Sequence, residues 1–255
     1  MKLTVLGWTS GISGPTAPQA GYMLRTDQTT LLFECGAGVV AELQKQFEMT
    51  DFEAMLISHL HADHIVDVME LVVHRRYNPI WDEEGYERRL PTWAPAEAPE
   101  RLAYAYAPTA ATRETESLTD VFDFHTIEDG TKLTIGDIEV EVIEVQHSIE
   151  CYGFRFTAGG RTLGFSSDTG PCDGVRRIAR DADIFLCEAT WNQSREASSH
   201  LSGREAGRIA KESGAKRMLL THIESWVDQD EIIGEARDAY GGEMERVETG
   251  RTYEV

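Results

Sequence analysis

Three imidazoles and a carboxylate fall within six positions, His59-Leu60-His61-Ala62-Asp63-His64. The run follows a short apolar segment, 54–58, and precedes a helical pattern that starts near His64. On a turn at a strand's end, alternating side chains converge from one side. A helix start then swings Asp63 and His64 toward a second position. Nitrogen and oxygen donors of this kind suit divalent metals, zinc first, with manganese and iron also accepted. His147, Asp168 and His222 each follow a predicted strand: Val140–Val145, Leu163–Phe165 and Met218–Leu220. Together these are seven donor groups, five His and two Asp, enough for two metals sharing one bridging carboxylate. Two metals about 3.5–4 Å apart can clamp the attacking and leaving oxygens of a phosphoryl displacement. The competing account, a polar loop of satisfied histidines, leaves the three later donors unexplained.

The elements that must hold these groups are legible in outline. Residues 2–7 read as a first strand, and Leu31-Leu32-Phe33 as a buried one ending at Glu34-Cys35-Gly36-Ala37-Gly38. Val39 to Phe47 and His64 to Tyr77 carry helical spacing, and 54–58 reads as a strand. Pro79, Pro91, Pro95 and Pro99 interrupt residues 78–100, which suit either a surface lid or a packed connector. Strands resume at Val121, and Ile138–Val142 alternates strictly. Gly159-Gly160 predicts a hairpin between Tyr152–Thr157 and Thr162–Phe165. Strand Ile184–Cys187, helix Ser202–Ser213, strand Arg217–Leu220 and a helix near Asp228–Tyr240 follow. Strands with interleaved helices in both halves predict an α/β fold of two packed sheets with helices outside.

Composition narrows the partners. The 255 residues carry 44 acids against 24 bases, a formal charge of −20. A generic nucleic-acid binder carries a basic face instead. A bound metal could still make a local positive site for a small anion. No run of about 18 apolar residues suggests a membrane span. The start, Met1-Lys2-Leu3-Thr4-Val5-Leu6-Gly7, lacks a secretory pattern. Cys35, Cys151, Cys172 and Cys187 form no CxxC pair, so free thiols in a reducing cytoplasm are expected. No GxSxG elbow occurs, so Ser10 and Ser13 suggest no hydrolase triad.

The HxHxDH run with its later His, Asp and His resembles the metallo-β-lactamase superfamily, over nearly the whole chain to Tyr253. The resemblance implies one domain over 1–255, an αββα sandwich of two mixed sheets with the site at one edge. It assigns His59, His61 and His147 to one metal and Asp63, His64 and His222 to the other, with Asp168 bridging. Lactonase-like members carry a PGHTPGH-like third motif, which Val145-Gln146-His147-Ser148-Ile149-Glu150 lacks. Ser166-Ser167-Asp168-Thr169, Glu188-Ala189-Thr190, His200 and Thr221-His222 resemble the ribonuclease Z-like branch instead. The tRNA-gripping arm of that branch has no room between His147 and Asp168.

The chain is most similar to compact, atypical class II cyclic-nucleotide phosphodiesterases. Tyr22, His74-Arg75-Arg76-Tyr77 and Thr221-His222-Ile223 add to that likeness. The likeness implies hydrolysis of 3′,5′-cyclic AMP to 5′-AMP with two divalent ions. Asp63 would orient water or take its proton, His200 would protonate the leaving oxygen, and Glu188 would orient His200. It further implies a homodimer acting on a small cyclic nucleotide; the charge and the lack of a long apolar run predict no stable nucleic-acid or membrane partner. An RNA or tRNA 3′-processing endonuclease, a lactonase-type hydrolase and a scaffold without turnover are the alternatives. His74 and His125 are expected to be structural. Arg75 and Arg76 either face a phosphate or solvate a helix end. Gly11, Gly14 and Pro15 suggest a loop near the site.

Overall fold

Short apolar runs cut by Gly, Pro and polar residues become strands, and most of the helices lie between them. The computed structural model describes residues 1–193 and 199–255. In chain order the first half contains β1 (Lys2–Gly7), β2 (Thr9–Ser10), β3 (Gly21–Arg25), β4 (Thr30–Cys35), α1 (Val39–Leu43) and β5 (Ala54–Leu56). It continues through α2 (Ala62–Ile65), α3 (Val68–Tyr77), α4 (Ile80–Glu83), β6 (Leu90–Ala94), α5 (Ala98–Tyr106) and β7 (Phe122–Thr126). The second half holds β8 (Lys132–Ile135), β9 (Ile138–Glu144), β10 (Tyr152–Ala158), β11 (Arg161–Phe165), α6 (Asp173–Ala179) and β12 (Ile184–Glu188). Then come α7 (Gly203–Glu212), β13 (Arg217–Thr221), β14 (Ile223–Glu224), α8 (Gln229–Tyr240), β15 (Glu243–Arg246) and β16 (Thr252–Glu254).

Two seven-stranded mixed sheets result, ordered β16-β1-β3-β4-β5-β6-β7 and β15-β13-β12-β11-β10-β9-β8. Each sheet joins antiparallel strands to a run of three parallel pairings. The inner faces share one core. Phe33 of the first sheet lies 5.1 Å, centroid to centroid, from both Phe156 and Phe165 of the second. Leu32, on the opposite face, packs with Val39, Leu43 and Leu71 from the outer helices. That double coverage explains why Leu31-Leu32-Phe33 is apolar without alternation. Ile178, Ile209 and Ile232 of α6, α7 and α8 cover the second sheet. The αββα expectation holds. Among the described residues, no helix is long and apolar enough to cross a membrane.

Several local expectations hold closely. Gly159 and Gly160 both take positive φ, 58° and 73°, as a tight turn between right-twisted strands requires. Ser202 caps α7, with its Oγ accepting the Glu205 amide and the Glu205 carboxylate accepting the Ser202 amide.

Others need correction. The helix expected from His64 to Tyr77 is two, α2 and α3. Between them the Asp67 amide donates to the Cys35 carbonyl, and its carboxylate accepts the Val40 amide. Tertiary partners there replace helical ones. The helix expected to reach Phe47 ends at Leu43. Residues 78–100, open between lid and connector, divide: Trp81 is buried and β6 (Leu90–Ala94) lies packed between β5 and β7, while 82–87 are exposed. Pro91 within that strand had hidden it.

Candidate metal centre

The second sheet places its polar residues through parallel register. Phe165 pairs with Leu186, and Glu188 pairs with Thr221. The C-terminal ends of β11, β12 and β13 therefore present Asp168, Glu188 and His222 side by side. The first sheet delivers His59 to His64 just beyond β5, with α2 beginning immediately after His61. Gly36 lets this loop close. A Cβ there would stand 2.0 Å from the Asp63 carbonyl oxygen.

All seven expected donors converge in two groups that share Asp168: His59, His61, His147 with Asp168, and Asp63, His64, His222 with Asp168. In the first group His61 Nδ1 lies 3.1 Å from His59 Nε2 and 3.0 Å from His147 Nε2. Asp168 Oδ2 lies 3.6 Å from His59 Nε2 and 4.0 Å from His147 Nε2. In the second, His222 Nε2 lies 3.2 Å from His64 Nε2, 3.3 Å from Asp63 Oδ2 and 3.3 Å from Asp168 Oδ1. Donors about 2.0–2.2 Å from one tetrahedral centre stand roughly 3.3–3.6 Å apart, so both groups have the spread that a divalent ion requires.

Proton placement supports the same conclusion. His59 Nδ1 faces Ser58 Oγ at 3.0 Å, and His147 Nδ1 donates to the Ser199 carbonyl at 2.9 Å. His222 Nδ1 faces Thr190 Oγ1 at 3.1 Å, and His64 Nδ1 faces the Glu34 carboxylate. Each outer partner holds the proton on Nδ1 and turns the Nε2 lone pair inward. Lone pairs and carboxylates facing one another call for a cation between them. Burial lowers the basicity of His59, His61 and His147. Burial also opposes charge on His64, but Asp168 and Glu34 draw positive charge onto its ring and raise its pKa well above the ordinary range, a charge that a metal ion at Nε2 would supply in the proton's place. Asp168 is held well below the carboxylate range, because His222 and His64 outweigh its burial.

Glu188 and His200 sit against this centre. Glu188 Oε1 accepts from the Thr169 amide at 2.6 Å and from His200 Nδ1 at 3.0 Å. Its Oε2 accepts from Thr190 Oγ1 at 2.8 Å and from the Leu201 amide at 3.2 Å. Burial alone would make His200 a weaker base, yet Glu188 raises its pKa to about 9. The His200 ring stacks on His222 at 5.7 Å and meets His147 edge-on at 5.0 Å, so it touches one donor of each group.

Glu34 was not anticipated. It is fully buried, and its two oxygens accept from the Ser58 amide and hydroxyl while also facing His64. The signal was present: an acid closing the apolar run Leu31-Leu32-Phe33. Glu34, Ser167 and His222 all take positive φ, 59°, 53° and 52°, which concentrates backbone strain around the centre. Gly11 joins the site too, donating its amide to Asp63 Oδ2 at 2.8 Å.

The remaining candidates lie elsewhere. His74 contacts Asn78 and Trp81, and His125 stacks on Trp93 at 4.8 Å. Arg75 donates to the Glu87 and Arg88 carbonyls, and Arg76 to Asp120 and the Ser117 carbonyl. Neither arginine faces the metal centre, and the buried Arg75 does not solvate a helix end.

The fold and the donor set define a metallo-hydrolase of the β-lactamase-like sandwich class. The chain belongs to the β-lactamase superfamily: the model of the Beta-lactamase superfamily domain matches residues 29–223. It is 36% identical to the uncharacterized protein Rv1339 of Mycobacterium tuberculosis, over all of this chain and 92% of that one. The crystal structure of the metallo-β-lactamase fold protein YhfI from Bacillus subtilis superposes with a TM-score of 0.84 at 24% identity, covering 99% of this chain and 98% of that one. Ribonuclease Z of Myxococcus xanthus aligns at 24% identity over all of this chain and 98% of its own. These relatives place the chain in the ribonuclease Z-like branch.

Proposed function

We propose that the protein hydrolyses a cyclic nucleotide, 3′,5′-cyclic AMP to 5′-AMP, with His59, His61, His147, Asp63, His64, His222 and Asp168 as ligands of two divalent ions. Zinc is the proposed metal, with manganese and iron also compatible with a donor set of imidazole nitrogens and carboxylate oxygens. When bound, such ions supply charge neutralisation at the phosphoryl oxygens and a water nucleophile near neutral pH. The observation that carries the reaction class is His200. Its Nδ1 is tethered to Glu188 and its ring lies against one donor of each group.

A cyclic phosphodiester opens when water oxygen bonds to phosphorus and the P–O3′ bond breaks. The 3′ oxygen leaves as an alkoxide and needs a proton. His200 Nε2 supplies it, and Glu188 stabilises the imidazolium that exists beforehand. The proton lost by water goes to Asp63, which the Gly11 amide orients. Glu188 and Glu34 therefore do positioning work, on His200 and His64 respectively.

A ribonuclease Z relative at 24% identity favours a second reading, cleavage of an RNA phosphodiester by the same groups. The compact hairpin β10–β11 between His147 and Asp168, and the charge of −20, favour the smaller substrate. A substrate panel at defined metal occupancy tests both. It compares 3′,5′- and 2′,3′-cyclic AMP, cyclic GMP, bis(p-nitrophenyl) phosphate, a lactone and precursor tRNA. Highest kcat/KM on 3′,5′-cyclic AMP is expected. Preference for the lactone, or tRNA processing at low enzyme concentration, would overturn the proposal.

A further inference from the structure

Trp226 is 60% exposed, whereas Trp8, Trp81 and Trp191 are buried. It stands beside the candidate metal centre, in the turn that follows β14. The two-stranded parallel ladder β2–β14 pairs Thr9 with Ile223 and Ser10 with Glu224. Trp226 and Ile12 each lie two residues past the last pair, in the turn that follows β14 and the bend that follows β2. Ile12 is also exposed, at 53%. The residue that opens β14 follows His222 directly, and the residue between Ser10 and Ile12 is Gly11, whose amide holds Asp63. The Cβ position of Gly11 lies 3.6 Å from Trp226 Cη2. Those contacts put the indole edge within about 9 Å of the Asp63 carboxylate. That is the reach of one nucleoside measured from its phosphate.

From this juxtaposition we infer that Trp226 is the platform on which the base of a nucleotide stacks while its phosphate occupies the metal centre. Leaving an indole in water forgoes apolar burial, and a flat π-face beside a phosphate site recovers it when a base arrives. An apolar platform also suits a chain of this charge, because it selects the ligand by its neutral end. The inference rests on the phosphodiesterase reading for the phosphate position, and makes the ligand a nucleoside phosphate rather than any small phosphodiester.

Calorimetric titration of the metal-loaded protein with 5′-AMP and with ribose 5-phosphate tests it, alongside cyclic AMP turnover. Wild type is expected to bind 5′-AMP the more tightly. Trp226→Ala should weaken 5′-AMP by roughly 10- to 100-fold, toward the ribose 5-phosphate value, and leave ribose 5-phosphate unchanged. Trp226→Phe should retain most of the difference. Equal affinity of wild type for the two ligands, or an unchanged ratio in Trp226→Ala, would overturn the platform. Loss of ribose 5-phosphate binding along with 5′-AMP would overturn it as well, since Trp226 would then serve the phosphate and sugar that both ligands share and not the base. Absent cyclic AMP turnover with the 5′-AMP preference intact would instead sink the phosphodiesterase assignment and leave the platform standing.

Discussion

Glu188 Oε1 accepts the Nδ1 proton of His200 across 3.0 Å, and the same oxygen holds the Thr169 amide one residue past Asp168. One buried carboxylate thus ties the proposed proton donor to the backbone of the aspartate that the two donor groups share. His200→Ala is expected to keep its metal content and lose roughly 10²–10⁴-fold in kcat. Wild-type turnover in a fully metallated variant would remove His200 from the mechanism.

Glu34 fixes His64 from behind and bonds Ser58, whose hydroxyl faces His59. Glu34→Gln keeps the volume and removes the charge. Metal affinity should fall by roughly 10- to 100-fold. Competition with a chromophoric chelator reads this directly, and an unchanged dissociation constant would make Glu34 a purely structural acid.

Gly36→Ala tests the close approach of the β4–α1 turn to the metal-binding loop. The new methyl would stand 2.0 Å from the Asp63 carbonyl oxygen and 2.6 Å from Gln19 Cβ. Backbone must move, so stability should fall by about 1–3 kcal/mol. Asp63 and His64 move with it. The metal stoichiometry of the dialysed variant should therefore fall, the ion of their group leaving first. Two tightly held ions with wild-type affinity would show that the loop is not constrained there.

Asp183 offers a pH test away from the centre. Burial opposes its ionisation, but Lys216, the Thr162 amide and Arg161 outweigh that and pull its pKa from 3.8 to about 2. Its oxygens accept from Arg161 at 2.8 Å, Lys216 at 2.9 Å and the Thr162 amide at 2.9 Å, joining the starts of three strands. A carboxylate with a depressed pKa stabilises the fold above its unfolded value, and that contribution is lost as pH falls through the folded value. Asp183→Asn should lower stability by about 1–3 kcal/mol at neutral pH. In urea titrations the gap to wild type should narrow between pH 4 and about pH 2. A constant gap across that range would show that charge is not what Asp183 contributes.

The sequence by itself pointed to the seven residues that converge in the candidate centre, because each follows a short apolar run and strand ends are local in origin. It also determined the αββα class, the β10–β11 turn at Gly159-Gly160 and the limits of α7, which caps and glycines encode within a few residues. Only the tertiary structure decided where Glu34 points. Its partners Ser58 and His64 lie 24 and 30 residues away, brought near by the parallel register of β4 with β5, Phe33 opposite Leu56. The break at Asp67 and the place of Pro91 inside a sheet were decided the same way, by contacts that outweigh local preference. The exposed indole of Trp226 belongs with them. Its position beside Gly11 comes from a parallel pairing of strands more than 200 residues apart, which no local pattern records.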